Sequence, residues 1–176
     1  CDRYRRGNAI VVNGNITNKG FIGNNSGYVL NLDIKGNLRN EGIWDAYVTN
    51  FIGTSNQTMS QISGKKFQGT FNNSDSIGDM ILTSDVSFEG NTWNLNNTKI
   101  ITNGFDIYSN NYTFNDGKIS GNDTLIINNS IIQNMRFFGN YKLGGNVLSQ
   151  GANVFNDTVT IIDTLYNKYG WSNTIA

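Results

Sequence analysis

The chain has no proline, no histidine and one cysteine, Cys1. Without imidazole a histidine-based nucleophilic triad has no general base, and thiolate or imidazole metal sites have no ligand set. A lone thiol cannot close an internal disulfide. Standing first, Cys1 suits a lipid-anchored N-terminal cysteine left by signal cleavage. It also suits a cut point in a longer chain, or a thiol paired outside this segment. Charge is scarce and balanced, thirteen basic residues against thirteen acidic. Beyond Arg3, Arg5 and Arg6 no basic surplus gathers, which argues against nucleic acid as a partner. No run of about eighteen apolar residues occurs, so no membrane span is expected. A phosphate-cradling Gly-x-x-x-x-Gly-Lys-Ser/Thr loop is missing. Gly144-Gly145-Asn146 lacks the aspartate of a calcium-binding nonapeptide repeat, and Asp75 with Asp79 does not complete a calcium loop. The expected cofactor and metal content is none.

What is abundant is asparagine, roughly one residue in six, together with twenty glycines. The charged fraction of 15% is too low for a disordered polyelectrolyte, and 12% aromatics point the same way. A length of 176 residues allows one domain with a sizeable core. The sequence reads as a folded, turn-rich, all-β chain.

Its organisation follows from one repeated stretch. Gly14-Asn15-Ile16-Thr17-Asn18-Lys19-Gly20 returns as Gly36-Asn37-Leu38-Arg39-Asn40-Glu41-Gly42, an offset of 22 residues. The flanks keep the offset, with Ile10 over Leu32, Val12 over Ile34 and Ile22 over Trp44. Gly145-Asn146-Val147-Leu148-Ser149-Gln150-Gly151 is a degenerate third copy. Apolar residues two apart within each copy are strand spacing, and a period of this size signals stacked coils. Glycine and asparagine at 14–15 and 36–37 suit left-handed corners.

From residue 80 a first column runs Val86 and Phe88, Phe105 and Ile107, Leu125 and Ile127, Tyr141 and Leu143, Val159 and Ile161. Its steps are 19, 20, 16 and 18 residues. A second holds Trp93 and Leu95, Tyr112 and Phe114, Ile131 and Ile132, Val147 and Leu148. A third is Ile100, Ile119, Phe137 and Phe155. Three short strands per coil predict a three-sided β-solenoid, a parallel β-helix of about eight coils and on the order of 40 Å long at ~4.8 Å per coil. Crossover preference makes it right-handed. Residues 1–9 read as a lead-in or cap and 10–176 as the solenoid domain, with irregular, loop-bearing coils at 53–79. Asparagines in register, Asn15 with Asn37 and Asn18 with Asn40, should stack as ladders. The competing architecture is an antiparallel sandwich, since Asn13-Gly14, Asn103-Gly104 and Asp116-Gly117 also suit hairpins.

Functional signals are thinner. Asp33, Asp45, Glu89 and Asp106 are outward carboxylate candidates, with Lys35, Arg39 or Arg136 as partners, for acid–base cleavage of a glycosidic bond. Solvated strand-face charge explains them as well. Trp44, Trp93, Tyr108, Tyr112 and Trp171 could stack on the apolar face of a sugar. Trp44 and Tyr108 are the better placed for exposure. Asp75-Ser76-Ile77, Asp123-Thr124-Leu125, Asp157-Thr158-Val159 and Asp163-Thr164-Leu165 resemble the O-glycosylation acceptor of some Gram-negative envelope and secreted proteins, at Ser76, Thr124, Thr158 and Thr164. Turn-ending Asp followed by strand-starting Thr accounts for the same triplets. An ice- or crystal-surface binder would need a threonine ladder, and Thr17, Thr49, Thr102 and Thr113 do not form one.

The Gly-Asn-φ-x-Asn-x-Gly coils resemble the right-handed parallel β-helix segments of bacterial surface and secreted proteins, of the broad pectin-lyase-like kind. The resemblance covers residues 10–165 loosely and 10–44 specifically. It implies an extracellular or cell-surface repeat module, structural or adhesive, with a glycan or host-surface ligand. That family also holds polysaccharide lyases, so a glycan-active enzyme is the alternative; no catalytic residue carries over.

Overall fold

The computed structural model describes residues 9–25, 28–74 and 78–168, so Cys1 and nearly all of the 1–9 lead-in lie outside the described residues. The chain is a parallel β-solenoid with three sides, visited in a fixed order. The second side is an eight-stranded sheet, beginning Ile16–Asn18, Leu38–Asn40, Gln57–Gln61 and Met80–Leu82, and continuing Lys99–Ile101, Lys118–Ser120, Arg136–Phe138 and Val154–Phe155. A fifteen-stranded sheet forms the other two sides. It is continuous because strands Ile43–Phe51 and Phe67–Asn73 are long enough to turn a corner and serve both. The first side includes Ile10–Val12, Asn31–Ile34, Thr92–Asn94, Thr113–Asn115 and Ser130–Gln133. The third includes Phe21–Gly23, Val86–Glu89, Ile107–Asn110 and Thr124–Asn128. Strands pair in parallel on every side, which rules out the antiparallel sandwich.

Alternation puts one residue of each pair inside. Leu32, Ile34, Trp44, Phe67, Phe71, Phe88, Trp93, Ile100, Phe114 and Phe137 belong to one continuous buried core. Aromatic residues of neighbouring coils meet there: Phe67 stacks on Phe88 with ring centroids 5.7 Å apart, and Phe137 on Phe155 at 4.7 Å. The stretch 53–79, expected to carry irregular loops, supplies strands Gln57–Gln61 and Phe67–Asn73, with residues 75–77 outside the described part.

The register bears out the aligned flanks of the first two coils and the third column. Ile10 pairs with Leu32, Val12 with Ile34, Ile22 with Trp44, and Ile100, Ile119, Phe137 and Phe155 follow one another. The first column is displaced by two residues until its last step, where Tyr141 partners Val159 and Leu143 partners Ile161 as expected. Val86 partners Ile107 rather than Phe105, and Ile107 partners Leu125 rather than Ile127. The second column is displaced at its start, with Trp93 partnering Phe114 rather than Tyr112. A shift of two preserves which side chains point inward, so the hydrophobic pattern alone does not detect it.

Asparagine holds the coils together in two ways. The first is amide-to-amide. Asn18 Nδ2 donates to Asn40 Oδ1 at 2.9 Å, as the register of those residues predicted. A longer ladder lies on the outward surface of the first side. Asn50 donates to Asp33 at 2.7 Å, Asn72 to Asn50 at 2.9 Å, Asn94 to Asn72 at 2.8 Å and Asn115 to Asn94 at 3.2 Å. Every donor points toward the preceding coil. In the second way, corner side chains accept a backbone N–H from a neighbouring coil: Asn15 from Asn37, Asn37 from Thr58, Asp106 from Thr124 and Asn122 from Asn140. Asn15 and Asn37 are thus joined through the backbone, not through stacked amides.

The glycines of the repeated stretch have a different cause from the one expected. Gly36 and Gly42 are not in the left-handed region. A Cβ on Gly42 would sit 2.1 Å from Gly20 O, and one on Gly36 2.5 Å from the Gly14 backbone. Close stacking of coil on coil selects glycine there. Left-handed corners occur later in the chain, at glycines that include Gly145 and Gly151 of the degenerate copy, and at Asn96, Asn97, Asn103, Asn111, Asp116, Asn129 and Asn134.

Candidate functional site

Of the two aromatic residues expected at the surface, one is inside. Trp44 is fully buried, because its register with Ile22 and Phe67 points it into the core. Its indole Nε1 donates to Thr49 Oγ1 at 3.2 Å, so no face of the ring is left for a sugar. Trp93 and Tyr112 are buried as well, and Trp171 lies outside the described residues.

Tyr108 is on the outside. It occupies the outward position of strand Ile107–Asn110 on the third side, where Ser87 and Ile126 are its neighbours above and below. Its hydroxyl donates to Asp106 Oδ2 at 3.3 Å. Partial burial, then the negative charges of Asp106 and Asp85, raise the phenol above its ordinary pKa, so it stays a neutral donor. On one flank a groove of about 460 Å³ runs past Gln61, Ser63, Ser84, Asp85 and Phe105. On the other, a shallower groove of about 190 Å³ holds Lys66, Glu89, Asn110 and Asn128. The arrangement offers an aromatic platform between hydroxyl, amide and carboxylate groups. Sugar rings need that combination, an apolar face to stack on and polar rims for their hydroxyls.

Three of the four outward carboxylate candidates, all but Asp45, are occupied with structure. Asp33 accepts from Asn50, and Asp106 accepts from Thr124 N and Tyr108. Glu89 is paired with Lys66, which holds its carboxyl below the usual range, and also accepts from Gln68. Arg39 is committed to Glu41 at 2.5 Å. Asp33 and Arg136 face the first and second sides, away from Tyr108 and from each other. Among the described residues no cluster of His, Cys, Asp and Glu is disposed to hold a metal ion.

The Asp-Thr triplets mark corners. Asp157 Oδ2 accepts from Gly139 N and Asp163 Oδ2 from Gly145 N, both at 2.7 Å, while Asp123 accepts from the Thr102 hydroxyl. Thr158 and Thr164 are exposed and Thr124 is half-buried. Thr124 and Thr158 line one shallow groove with Asn140, Tyr141 and Lys142. Ser76 lies outside the described residues.

Two surface columns were not anticipated. On the first side Thr70, Thr92 and Thr113 stand one above another beside the asparagine ladder. Of the threonines singled out from the sequence only Thr113 belongs to this column; Thr49 and Thr102 are buried. On the second side Lys99, Lys118 and Arg136 are successive register partners. The third hydrophobic column already contained the signal, since each cation immediately precedes one of its members, Ile100, Ile119 or Phe137. A net charge of zero concealed a local surplus. No protein-family model, curated protein or solved structure matches this chain.

Proposed function

We propose that the chain is a non-catalytic structural or adhesive module of a secreted or cell-surface bacterial protein, of the right-handed pectin-lyase-like kind, and that it binds glycan at Tyr108. The observation that carries this reading is the Tyr108 ring, set in a polar groove on an otherwise regular rod. Engagement of Asp33, Glu89 and Asp106 in coil-to-coil and surface contacts supports binding over catalysis, since a working acid or base needs a carboxyl free to exchange a proton with substrate. The resemblance of the coils to surface and secreted proteins supports extracellular placement.

A glycan array probed with the whole chain tests it. Binding should be lost in Tyr108→Ala, which removes the platform, and weakened in Tyr108→Phe, which keeps the ring and drops the hydroxyl. Polysaccharide turnover abolished by Asp106→Asn would replace the adhesive reading with an enzymatic one. Absence of binding to every glycan on the array would remove the ligand.

A further inference from the structure

On the first side, one outward position is filled by a β-branched residue in five consecutive coils. Val48 pairs in register with Thr70, Thr92 with Thr113, and Thr113 with Ile131. Trp93 beside Phe71 sets Thr92 next to Thr70, which makes the column continuous. Two residues along each strand runs the amide ladder from Asn50 to Asn115. Members of a column lie ~4.8 Å apart along the rod, and the two columns ~6.6 Å apart across it, at the spacing and rise of parallel strands. All of these side chains are partly exposed and none is charged. A threonine column of the kind an ice binder needs is therefore present, on coils that the sequence spacing did not align.

Both columns are stiff. A side chain branched at Cβ has restricted χ1 freedom, so each holds its methyl or hydroxyl in a fixed direction. The amides cannot swing, because Asn72 is bonded to Asn50 at 2.9 Å, Asn94 to Asn72 at 2.8 Å and Asn115 to Asn94 at 3.2 Å. Beneath the array Phe71, Trp93 and Phe114 are buried, with Phe71 and Trp93 in ring contact at 5.8 Å, and this floor resists inward flexing. Thr70 Oγ1 donates to Asn91 Oδ1 at 2.8 Å. The hydroxyls of Thr92 and Thr113 meet no protein group among the described residues and are free to bond outward.

We propose that this face binds ice. Rigid hydroxyls and amides fix water by hydrogen bonds at regular intervals, and the methyl groups between them cage it. Oxygens on the prism face of hexagonal ice form a rectangular net of similar spacings, so water ordered by the array continues the lattice of a crystal. Other occupants lack what they need here. A sugar stacks on an aromatic ring, and neither column has one between Val48 and Gln133. Nucleic acid and ionic minerals need charge, which both columns lack over the same span. A protein partner would anchor on aromatic or arginine side chains, and the array offers none. Tyr108 is on the third side, so this proposal stands independently of the glycan assigned there.

Single ice crystals held in a solution of the whole chain test it. They should grow with flat prism facets, and freezing should begin below the melting temperature, leaving a gap between the two. Thr92→Tyr, a residue that suits a strand but stands its ring out of the array, should close the gap. Lys118→Gln, on the second side, should leave it unaltered. Circular dichroism of the variants guards against misfolding; if Thr92→Tyr fails it, Thr113→Lys takes its place with the same loss expected. The chain labelled with a fluorophore at its single cysteine should accumulate on the prism planes of a growing ice hemisphere. Microcrystalline cellulose, an ordered lattice of sugar hydroxyls, should not retain it. Round crystals without a gap, a gap unchanged in the folded array variant, exclusion of the label from ice, or retention on cellulose that Thr92→Tyr abolishes would each overturn the proposal.

Discussion

Replacing Asn40 by alanine tests whether side-chain amides fasten one coil to the next. Asn40 is fully buried, and its amide serves three partners. Its Oδ1 accepts from Asn18 Nδ2 at 2.9 Å and from Gly42 N at 3.3 Å, while its Nδ2 donates to Lys66 O at 3.1 Å. Alanine removes all three contacts, but Asn18 Nδ2 keeps its bond to Ile43 O and Lys66 is exposed, so the groups left short are on the buried Asn18 and Gly42. Stranding a buried polar group costs about 1–3 kcal/mol, and the Gly42 contact is long, so the loss should be about 2 kcal/mol. A domain with ~5–15 kcal/mol of stability would show this plainly. Urea denaturation should report it as a lower midpoint at unchanged slope. Asn110→Ala, at an exposed position of strand Ile107–Asn110, is the control and should stay within about 0.5 kcal/mol. A double-mutant cycle with Asn18→Ala should give a coupling of about 1 kcal/mol, the worth of the amide–amide bond alone. If Asn40→Ala lowers stability no more than the Asn110 control does, the coils are held by their hydrophobic column and the ladder account is wrong.

Two further outcomes follow from the geometry. Gly69 has φ +96° and a Cβ there would meet Ala46 O at 1.8 Å, so Gly69→Ala should destabilise by more than the ~1–2 kcal/mol of left-handed strain alone, measured by the same denaturation. Preservation of the wild-type midpoint would show that the corner is not tight. Burial raises the phenols of Tyr112 and Tyr141 far above the ordinary tyrosine value. Because the folded state holds these protons more tightly than the unfolded chain, their contribution is complete below about pH 10 and is lost as pH rises above it. Alkaline titration followed by phenolate absorbance should show these two tyrosines ionising only as the chain unfolds. Smooth titration of every tyrosine near its ordinary value, with structure intact, would refute their burial.

The solenoid was legible because inward positions repeat. Ile10 over Leu32 and Ile100 over Ile119 over Phe137 are aliphatic or aromatic whatever the coil length, and that is enough to identify stacking. Register within a column was less legible. Ile107 has apolar candidates at both Leu125 and Ile127, which share a side, and only the backbone hydrogen bonds choose between them. Trp44 was misplaced although its offset from Ile22 already set it over an apolar position: Ile43 beside it competes for the inward side on hydrophobicity alone, and Asp45 on the other flank suggests an exposed strand. The cation column went unread for the opposite reason: Lys99, Lys118 and Arg136 are far apart in sequence, and outward residues have no hydrophobic periodicity of their own. Once the inward members of a column are known, their neighbours along the strand are fixed by alternation, and the surface can be written out from them.

The asparagine ladder of the first side gives the rod a head and a tail. Each amide between Asn50 and Asn115 offers its N–H to the coil before it, so the small dipoles add along the axis. Their positive end rests on Asp33, whose carboxylate stands where an acidic cap stands at the start of a helix. At the opposite end Asn115 Oδ1 is buried without a partner, since the longer Gln133 in the next coil does not meet it. A coil duplicated into the middle of this run would keep the electrical alignment only if it brought an asparagine to that one position. Lengthening the rod is therefore a question of polarity as much as of packing.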